Sequence, residues 1–257
     1  MKDIVSLVGE SVAACADDVS ATILRLFLGC LMVSFFTTVV SAAPLYGFDQ
    51  RLPIGPFLNN VLPPQPPSAT WTATVAFPHL NFNEPLYLLQ QPRSNRLFVV
   101  DHGGKIYSFT NDPNTSQATL VLDLSAVTQA NNDCGMLGMA FHPDFGLAGS
   151  TNRNYIYVYY TYSPAPTANP TTGTRMYDRL SRFTIPDGSL VADPNSELVL
   201  INQYDENYWH NGGGMFFGRD GYLYLSVGDE GTDYDGLHDT QMITNGLFSG
   251  VLRIDVN

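Results

Sequence analysis

WHNGGGMFFGRDGYLYLSVGDEG, the stretch from Trp209 to Gly231, contains two apolar runs separated by a tight turn. The turn includes Asp220 and Gly221, and an Asp-Gly pair between β-prone residues is a strong short-range signal for a β-hairpin. The stretch therefore predicts two antiparallel strands. It also places a single histidine before the first strand and a single Gly-Asp after the second.

The predicted hairpin brings His210 close to Asp229. With Arg219 and Asp220 at the centre of the turn, the numbers of opposing residues add up to about 439, so these two side chains oppose each other. A bulge or a shifted turn would change the register by a residue or two and leave both at the open end of the hairpin. Two interpretations remain: a carboxylate that orients a general base, or two polar residues that close a hairpin, which is the commoner case.

Three glycines follow His210 and bear on that choice. Glycines within a strand remove side chains where a planar ligand or another backbone approaches closely. The run Gly212–Gly214 thus predicts such an approach beside the histidine.

A repeat of two β-runs organises the rest of the chain. Each unit has an apolar strand, a polar excursion and a strand of alternating polarity, and no helix of normal length is predicted. The paired runs are 97–100 with 105–109, 156–162 with 179–185, and 223–228 with 250–256. The fold class is all-β, a partial β-propeller of about three blades. Because closed propellers need about four to eight blades, we expect a truncated product or closure with another chain, with self-association through open propeller edges.

The first 69 residues predict export and a linker. An uncharged run from Leu26 to Val40 precedes SAAP, which suits signal cleavage near Ala43, although the acidic start is unusual for a signal peptide. Residues 1–42 are therefore predicted to be a signal peptide of a periplasmic or extracellular protein, with membrane anchoring by residues 26–43 as the alternative. Residues 43–69 form a Pro-rich linker. The folded domain is predicted at 70–257.

Charge and cysteine content exclude several classes of function. The net charge of −12 repels phosphate backbones, so nucleic acid is not an expected partner, whereas a neutral sugar or a cation is compatible. Cys134 is the only cysteine after the presequence. It permits neither a disulfide within the mature chain nor a cysteine metal cluster.

Three stretches together resemble the soluble quinoprotein glucose dehydrogenase and sorbosone dehydrogenase family. They are LNFNEPLYLLQQPRSNRLFVVDHGGKIYSF (80–109), CGMLGMAFHPDF (134–145) and HNGGGMFFGRDGYLYLSVGDEG (210–231). The resemblance implies a six-bladed propeller that binds pyrroloquinoline quinone (PQQ) and calcium, of which this chain covers the first half. The turns at Asp101–Gly104 and His142–Phe145 are predicted to be structural.

The resemblance also implies roles for four residues. His210 would be the general base that takes a sugar hydroxyl proton, and Asp229 would orient it. Asp133 and Trp209 occupy positions near the cofactor in the family, although tryptophan replaces a polar residue there. Further quinone and calcium ligands are expected in later blades, beyond Asn257.

The implied activity is PQQ-dependent oxidation of an aldose or a related sugar alcohol. One alternative is a non-catalytic propeller that binds a carbohydrate or a protein, as in the hedgehog-interacting proteins, which the sequence also resembles. A second alternative is an inactive fragment.

Overall fold

The structure is a computed structural model that describes Val61 and residues 72–231, 234–240, 244 and 246–257. The predicted signal peptide and all of the predicted linker except Val61 lie outside the described residues. Thr72–Asn257 forms one compact unit. The described part of the chain contains no helix, and hence none with the length and hydropathy needed to cross a membrane.

Three antiparallel sheets make up this unit, and each is built from strands that follow one another in sequence. Sheet 1 comprises β1 (Pro85–Gln90), β2 (Arg96–Asp101), β3 (Lys105–Thr110) and β4 (Thr119–Asp123). Sheet 2 comprises β5 (Met136–Phe141), β6 (Tyr155–Tyr162), β7 (Met176–Thr184) and β8 (Asp193–Asp205). Sheet 3 comprises β9 (Met215–Phe217), β10 (Leu223–Val227) and β11 (Gly250–Ile254). The three repeats of the sequence correspond to the pairs β2–β3, β6–β7 and β10–β11.

Sheet 2 is covered on both faces because it lies between the other two. Side chains of a strand alternate between faces, and β6 uses both sets for packing. Ile156, Val158 and Tyr160 pack in the cluster shared with sheet 1. Tyr157 and Tyr159 pack in the cluster shared with sheet 3. The face-to-face stacking of three sheets is the arrangement of consecutive propeller blades.

The β9–β10 hairpin turns where the sequence predicts it. Gly221 has a left-handed φ of 83°, and its amide donates to the carbonyl of Gly218 at 3.1 Å. Within the strands, Leu225 pairs with Met215, whereas the predicted register would pair Leu225 with Gly214. The observed pairing is therefore shifted by one residue.

A β-bulge then corrects the register toward His210. The amide of Gly213 donates to the Ser226 carbonyl at 2.9 Å, and the Ser226 amide donates to the Gly214 carbonyl at 2.8 Å. Two residues of one strand thus oppose one residue of the other, which defines a bulge. The one-residue shift restores the register in which His210 opposes Asp229.

The glycine run makes room for another backbone. Gly213 has a φ of 111°, and a Cβ on it would lie 2.6 Å from the Leu137 Cβ and 2.7 Å from the Leu137 carbonyl oxygen. A Cβ on Gly138 would overlap the carbonyl oxygen of Gly213. The first strand of sheet 2 and the segment that leads into β9 therefore approach each other through two glycines.

Gly213→Ala should destabilise the protein more than a glycine substitution in open space. Alanine at a positive φ costs about 1–3 kcal/mol, and here the contact with Leu137 adds to that cost. Gly149→Ala is the matched control because Gly149 has a φ of 84° and nothing within 4 Å of the added Cβ. The measurement is the free energy of unfolding in urea for both variants. Equal losses would contradict the close approach.

Candidate active site

An open cleft of about 550 Å³ lies where the chain enters the first strand of each sheet. Sheet 1 contributes residues around the start of β1 and the β2–β3 turn, sheet 2 contributes the segment before β5, and sheet 3 contributes the segment before β9. The lining residues are Glu84, Leu86, His102, Asn132, Asp133, Leu137, His210, Asn211 and Gly212. Such a volume is within the range of small-molecule sites.

His210 and Asp229 meet at this cleft. The His210 Nδ1 lies 2.8 Å from the Asp229 Oδ1, and the histidine side chain is 58% exposed. The Gly231 amide also donates to Asp229 Oδ1, at 3.1 Å. Burial raises the pKa of Asp229, but the hydrogen bonds from His210 and the Gly231 amide outweigh it and hold the pKa below its usual range. The carboxylate is therefore ionised at neutral pH and keeps a proton on Nδ1.

Asp133 holds the backbone of His210. Its Oδ2 accepts a hydrogen bond from the His210 amide at 2.9 Å. This contact links the segment before β5 to the segment before β9, so the carboxylate fixes the position of the histidine. The contact of Asp133 with a cofactor stays a prediction.

Three of the four segments that line the cleft contain a non-glycine residue with positive φ. The φ values are 40° for Glu84, 55° for Asn132 and 55° for His210. Such conformations cost energy and occur preferentially at functional sites, where the surrounding structure imposes them. Their presence at three converging loops supports a functional role for the cleft.

Trp209 lies next to His210 but does not line the cleft. Its ring centroid is 5.1 Å from that of Tyr208, and the residue is 38% exposed. The indole thus packs on a neighbouring ring. Its contact with a cofactor also stays a prediction.

A second histidine and a second carboxylate line the cleft. His102 Nδ1 lies 3.2 Å from Glu84 Oε2. The sequence predicts His102 as a turn residue, and the turn between β2 and β3 is present. The pair itself is not predicted, because Glu84 and His102 are 18 positions apart in the sequence and are separated by all of β1 and β2. The signal available in the sequence was an imidazole in a turn next to two glycines.

A buried group of carboxyls lies beneath the cleft. Asp178, Asp205 and Glu230 are almost entirely buried, and the Asn211 Nδ2 donates to Asp205 Oδ2 at 2.6 Å. Burial raises the pKa of Asp178 to about 7 and those of Asp205 and Glu230 to about 8. These carboxyls therefore hold protons near neutral pH. Because Asn211 follows His210 and Glu230 follows Asp229, the group supports both members of the His210–Asp229 pair.

The other predicted structural residues have structural surroundings. His142 is buried in its turn, where its Nδ1 accepts from the Asp144 amide at 3.1 Å. Cys134 is fully buried, and burial raises the pKa of its thiol to about 12. Neither residue lines the cleft.

Comparison with known proteins identifies the family. A family model described as Glucose / Sorbosone dehydrogenase matches residues 82–255. The chain belongs to this family. A solved structure of a glucose dehydrogenase superposes with a TM-score of 0.52 and 18% identity, covering 68% of this chain and 45% of that one. This likeness confirms the predicted fold, a partial β-propeller.

Curated relatives include both enzymes and binding proteins by name. The HIPL2 protein of Arabidopsis thaliana is 27% identical over 195 residues, which is 64% of this chain and 28% of that protein. Hedgehog-interacting protein of Mus musculus is 26% identical over 173 residues, 64% of this chain and 23% of that protein. Quinoprotein glucose dehydrogenase B of Acinetobacter calcoaceticus is 27% identical over 152 residues, 59% of this chain and 30% of that protein. The chain spans less than a third of the length of these relatives.

The described lining does not fit PQQ. The quinone carries three carboxylates, which need cations or positive side chains for tight binding. The described residues that line the cleft include the carboxylates of Glu84 and Asp133 and no lysine or arginine. Nor do the described residues contain a group of three or more histidine, cysteine, aspartate or glutamate side chains placed to hold a metal ion such as calcium.

The buried carboxyls predict that stability falls as pH rises. Their pKa values are raised above those of the unfolded chain, so the folded state binds more protons between about pH 4 and pH 8. Their contribution to the free energy of unfolding is therefore complete below about pH 4 and is lost as pH rises to about 8. Glu230→Gln keeps the side-chain shape without an ionisable proton. It should stabilise the protein, relative to the parent, by on the order of a few kcal/mol more at pH 9 than at pH 5.

Thermal unfolding across that pH range measures this effect. Asp112→Asn is the matched control because it removes one negative charge from an exposed loop. The interpretation fails if both variants shift the melting temperature equally at every pH.

Proposed function

We propose that this chain contributes the proton-accepting part of a sugar dehydrogenase site, with His210 as the general base and Asp229 as its orienting group. The observation that supports the proposal most directly is the 2.8 Å contact between His210 Nδ1 and Asp229 Oδ1 at the cleft. Membership of the glucose/sorbosone dehydrogenase family supports a substrate of the sugar class.

The pair has the arrangement that general-base catalysis needs. An ionised carboxylate only accepts hydrogen bonds, so the proton of the neutral imidazole stays on Nδ1 and Nε2 keeps its lone pair. Nε2 takes the proton of a sugar hydroxyl, and the carbon that bears the hydroxyl becomes a carbonyl as its hydride passes to a separate acceptor. The negative charge of Asp229 then stabilises the imidazolium. Asp133, through the His210 amide, keeps the ring in position.

Oxidation also needs a hydride acceptor. The family resemblance implies PQQ with calcium. When bound, the quinone would accept the hydride and the calcium ion would polarise the quinone. Because the described lining lacks cations, we assign no step of this proposal to that cofactor. The substrate is proposed to be an uncharged aldose or sugar alcohol, since the carboxylates of the cleft repel anions.

Export is proposed together with this activity. The support is the uncharged run 26–40 followed by SAAP, which predicts processing near Ala43. Anchoring by residues 26–43 remains the alternative.

A non-catalytic binding propeller is the second candidate function. It is favoured by the acidic cleft without cations and by the similarity to Hedgehog-interacting protein. In that case the cleft would bind a carbohydrate or a protein ligand without oxidising it.

Turnover of the paired variants distinguishes the two candidates. In protein completed with the later blades, where the further quinone and calcium ligands are expected, and reconstituted with PQQ and calcium, His210→Ala should lower sugar oxidation about 10²–10⁴-fold, the scale of lost general-base catalysis. Asp229→Asn should also lower it, because the charge that stabilises the imidazolium is removed. Both residues act through the same proton transfer, so the double variant should be about as slow as the slower single variant. The two losses should therefore be strongly non-additive.

The control is His79→Ala, which removes an exposed histidine that does not line the cleft. It should leave turnover unchanged. Additive losses would show that His210 and Asp229 act separately. Sugar binding without any oxidation by the parent protein would favour the binding function.

A further inference from the structure

The cleft holds two imidazole–carboxylate pairs on different sheets. His210 with Asp229 comes from sheet 3, and His102 with Glu84 comes from sheet 1. Both histidines line the same cleft of about 550 Å³. The general base of the proposed function uses only the first pair.

His102 is fixed more firmly than a surface turn residue. Its side chain is only 15% exposed, although that of Glu84 is 65% exposed. Its amide donates to the Glu84 carbonyl at 3.0 Å, and its carbonyl accepts from the Met136 amide at 3.0 Å. A Cβ on Gly135 would lie 2.6 Å from His102 Nε2, so the ring lies directly against the backbone that enters β5. The imidazole is thus held by both sheet 1 and sheet 2.

The hydrogen bond to Glu84 determines which ring nitrogen accepts. Because an ionised carboxylate only accepts hydrogen bonds, Nδ1 of the neutral ring carries the proton. Nε2 then keeps its lone pair, and no hydrogen bond to Nε2 is found within the described part of the chain. The cleft therefore offers two imidazole nitrogens that can each accept a hydrogen bond from a ligand hydroxyl.

The geometry points to His102 as a second hydroxyl-binding residue. While His210 Nε2 meets the hydroxyl that is oxidised, His102 Nε2 accepts a hydrogen bond from a hydroxyl on the neighbouring carbon. The ligand class is an uncharged polyol with adjacent hydroxyls. Sugars that carry a phosphate or a carboxylate are repelled by Glu84, Asp133 and Asp229. This assignment rests on the proposed function for the role of His210, but the binding role of His102 can be tested separately.

Binding of D-glucose and 2-deoxy-D-glucose tests the assignment without turnover. The second sugar lacks the hydroxyl next to the one at C1. Dissociation constants from NMR titration should show that His102→Ala weakens glucose binding about 3- to 10-fold, the effect of one lost hydrogen bond, and leaves 2-deoxy-D-glucose binding unchanged. His102→Gln, which keeps an acceptor oxygen, should lie between the parent and the alanine variant. His79→Ala should change neither constant.

Several outcomes would overturn the assignment. Equal loss for both sugars would mean that His102 only supports the turn, and no loss, or no glucose binding by the parent protein, would remove the residue from the ligand site. Melting temperatures of the variants show whether they fold, and His102→Gln provides the comparison if His102→Ala does not.

The turnover measurements separate this inference from the proposed function. If His210→Ala loses oxidation while the two sugars respond alike to His102 substitution, the assignment of His102 fails and the proposed function stands. If the sugars respond differently but the parent protein oxidises neither, the proposed function fails and the binding role of His102 stands.

Discussion

The close approach of two backbones sets the geometry of the site. Where Gly138 and Gly213 meet, β5 and the segment that leads into β9 come nearer than any side chain would allow. The bulge beside this contact shifts one strand by one residue and turns His210 toward Asp229. Asp133 reaches across the same junction to the His210 amide. The position of His210 and its contacts with Asp133 and Asp229 thus depend on the absence of two Cβ atoms.

Local patterns were sufficient for much of this arrangement. Alternation of polarity predicted the strand pairs, Asp220-Gly221 predicted the turn, and counting outward from that turn predicted the contact of His210 with Asp229. The bulge could not be located from sequence, because the three consecutive glycines permit it equally well at neighbouring positions. The glycines themselves left open whether a ligand or a backbone comes close, and the structure shows a backbone.

Contacts between distant segments were outside the reach of such patterns. His102 contacts Glu84 although two strands separate them in the sequence. The buried acids also come from distant segments: Asp178 from β7, Asp205 from β8 and Glu230 from the segment after β10. Nothing near these acids in sequence distinguishes them from the many acidic residues expected on the surface of so acidic a chain. Their burial follows from the stacking of sheets, which also raises their pKa values.

Ionised and protonated carboxyl groups therefore lie near each other at the cleft. At the cleft, hydrogen bonds from His210 and the Gly231 amide lower the pKa of Asp229 and keep it an anion, whereas burial raises the pKa values of Asp178, Asp205 and Glu230 beneath the cleft. This contrast gives the cleft a negative potential above a neutral support. A polyol is compatible with such a surface, and a polyanionic cofactor needs positive charge from elsewhere.

The double burial of β6 has a consequence for the order of folding. Tyr157 and Tyr159 face one neighbouring sheet and Tyr160 faces the other, and all three are fully buried in the complete stack. During synthesis from the N-terminus, sheet 1 is available to cover one face as soon as sheet 2 forms. The other face remains exposed until β9 to β11 have been made. Both faces of sheet 2 are apolar, so sheet 2 is stable only when a neighbouring sheet covers each face. The three sheets therefore reach their native packing as one cooperative unit.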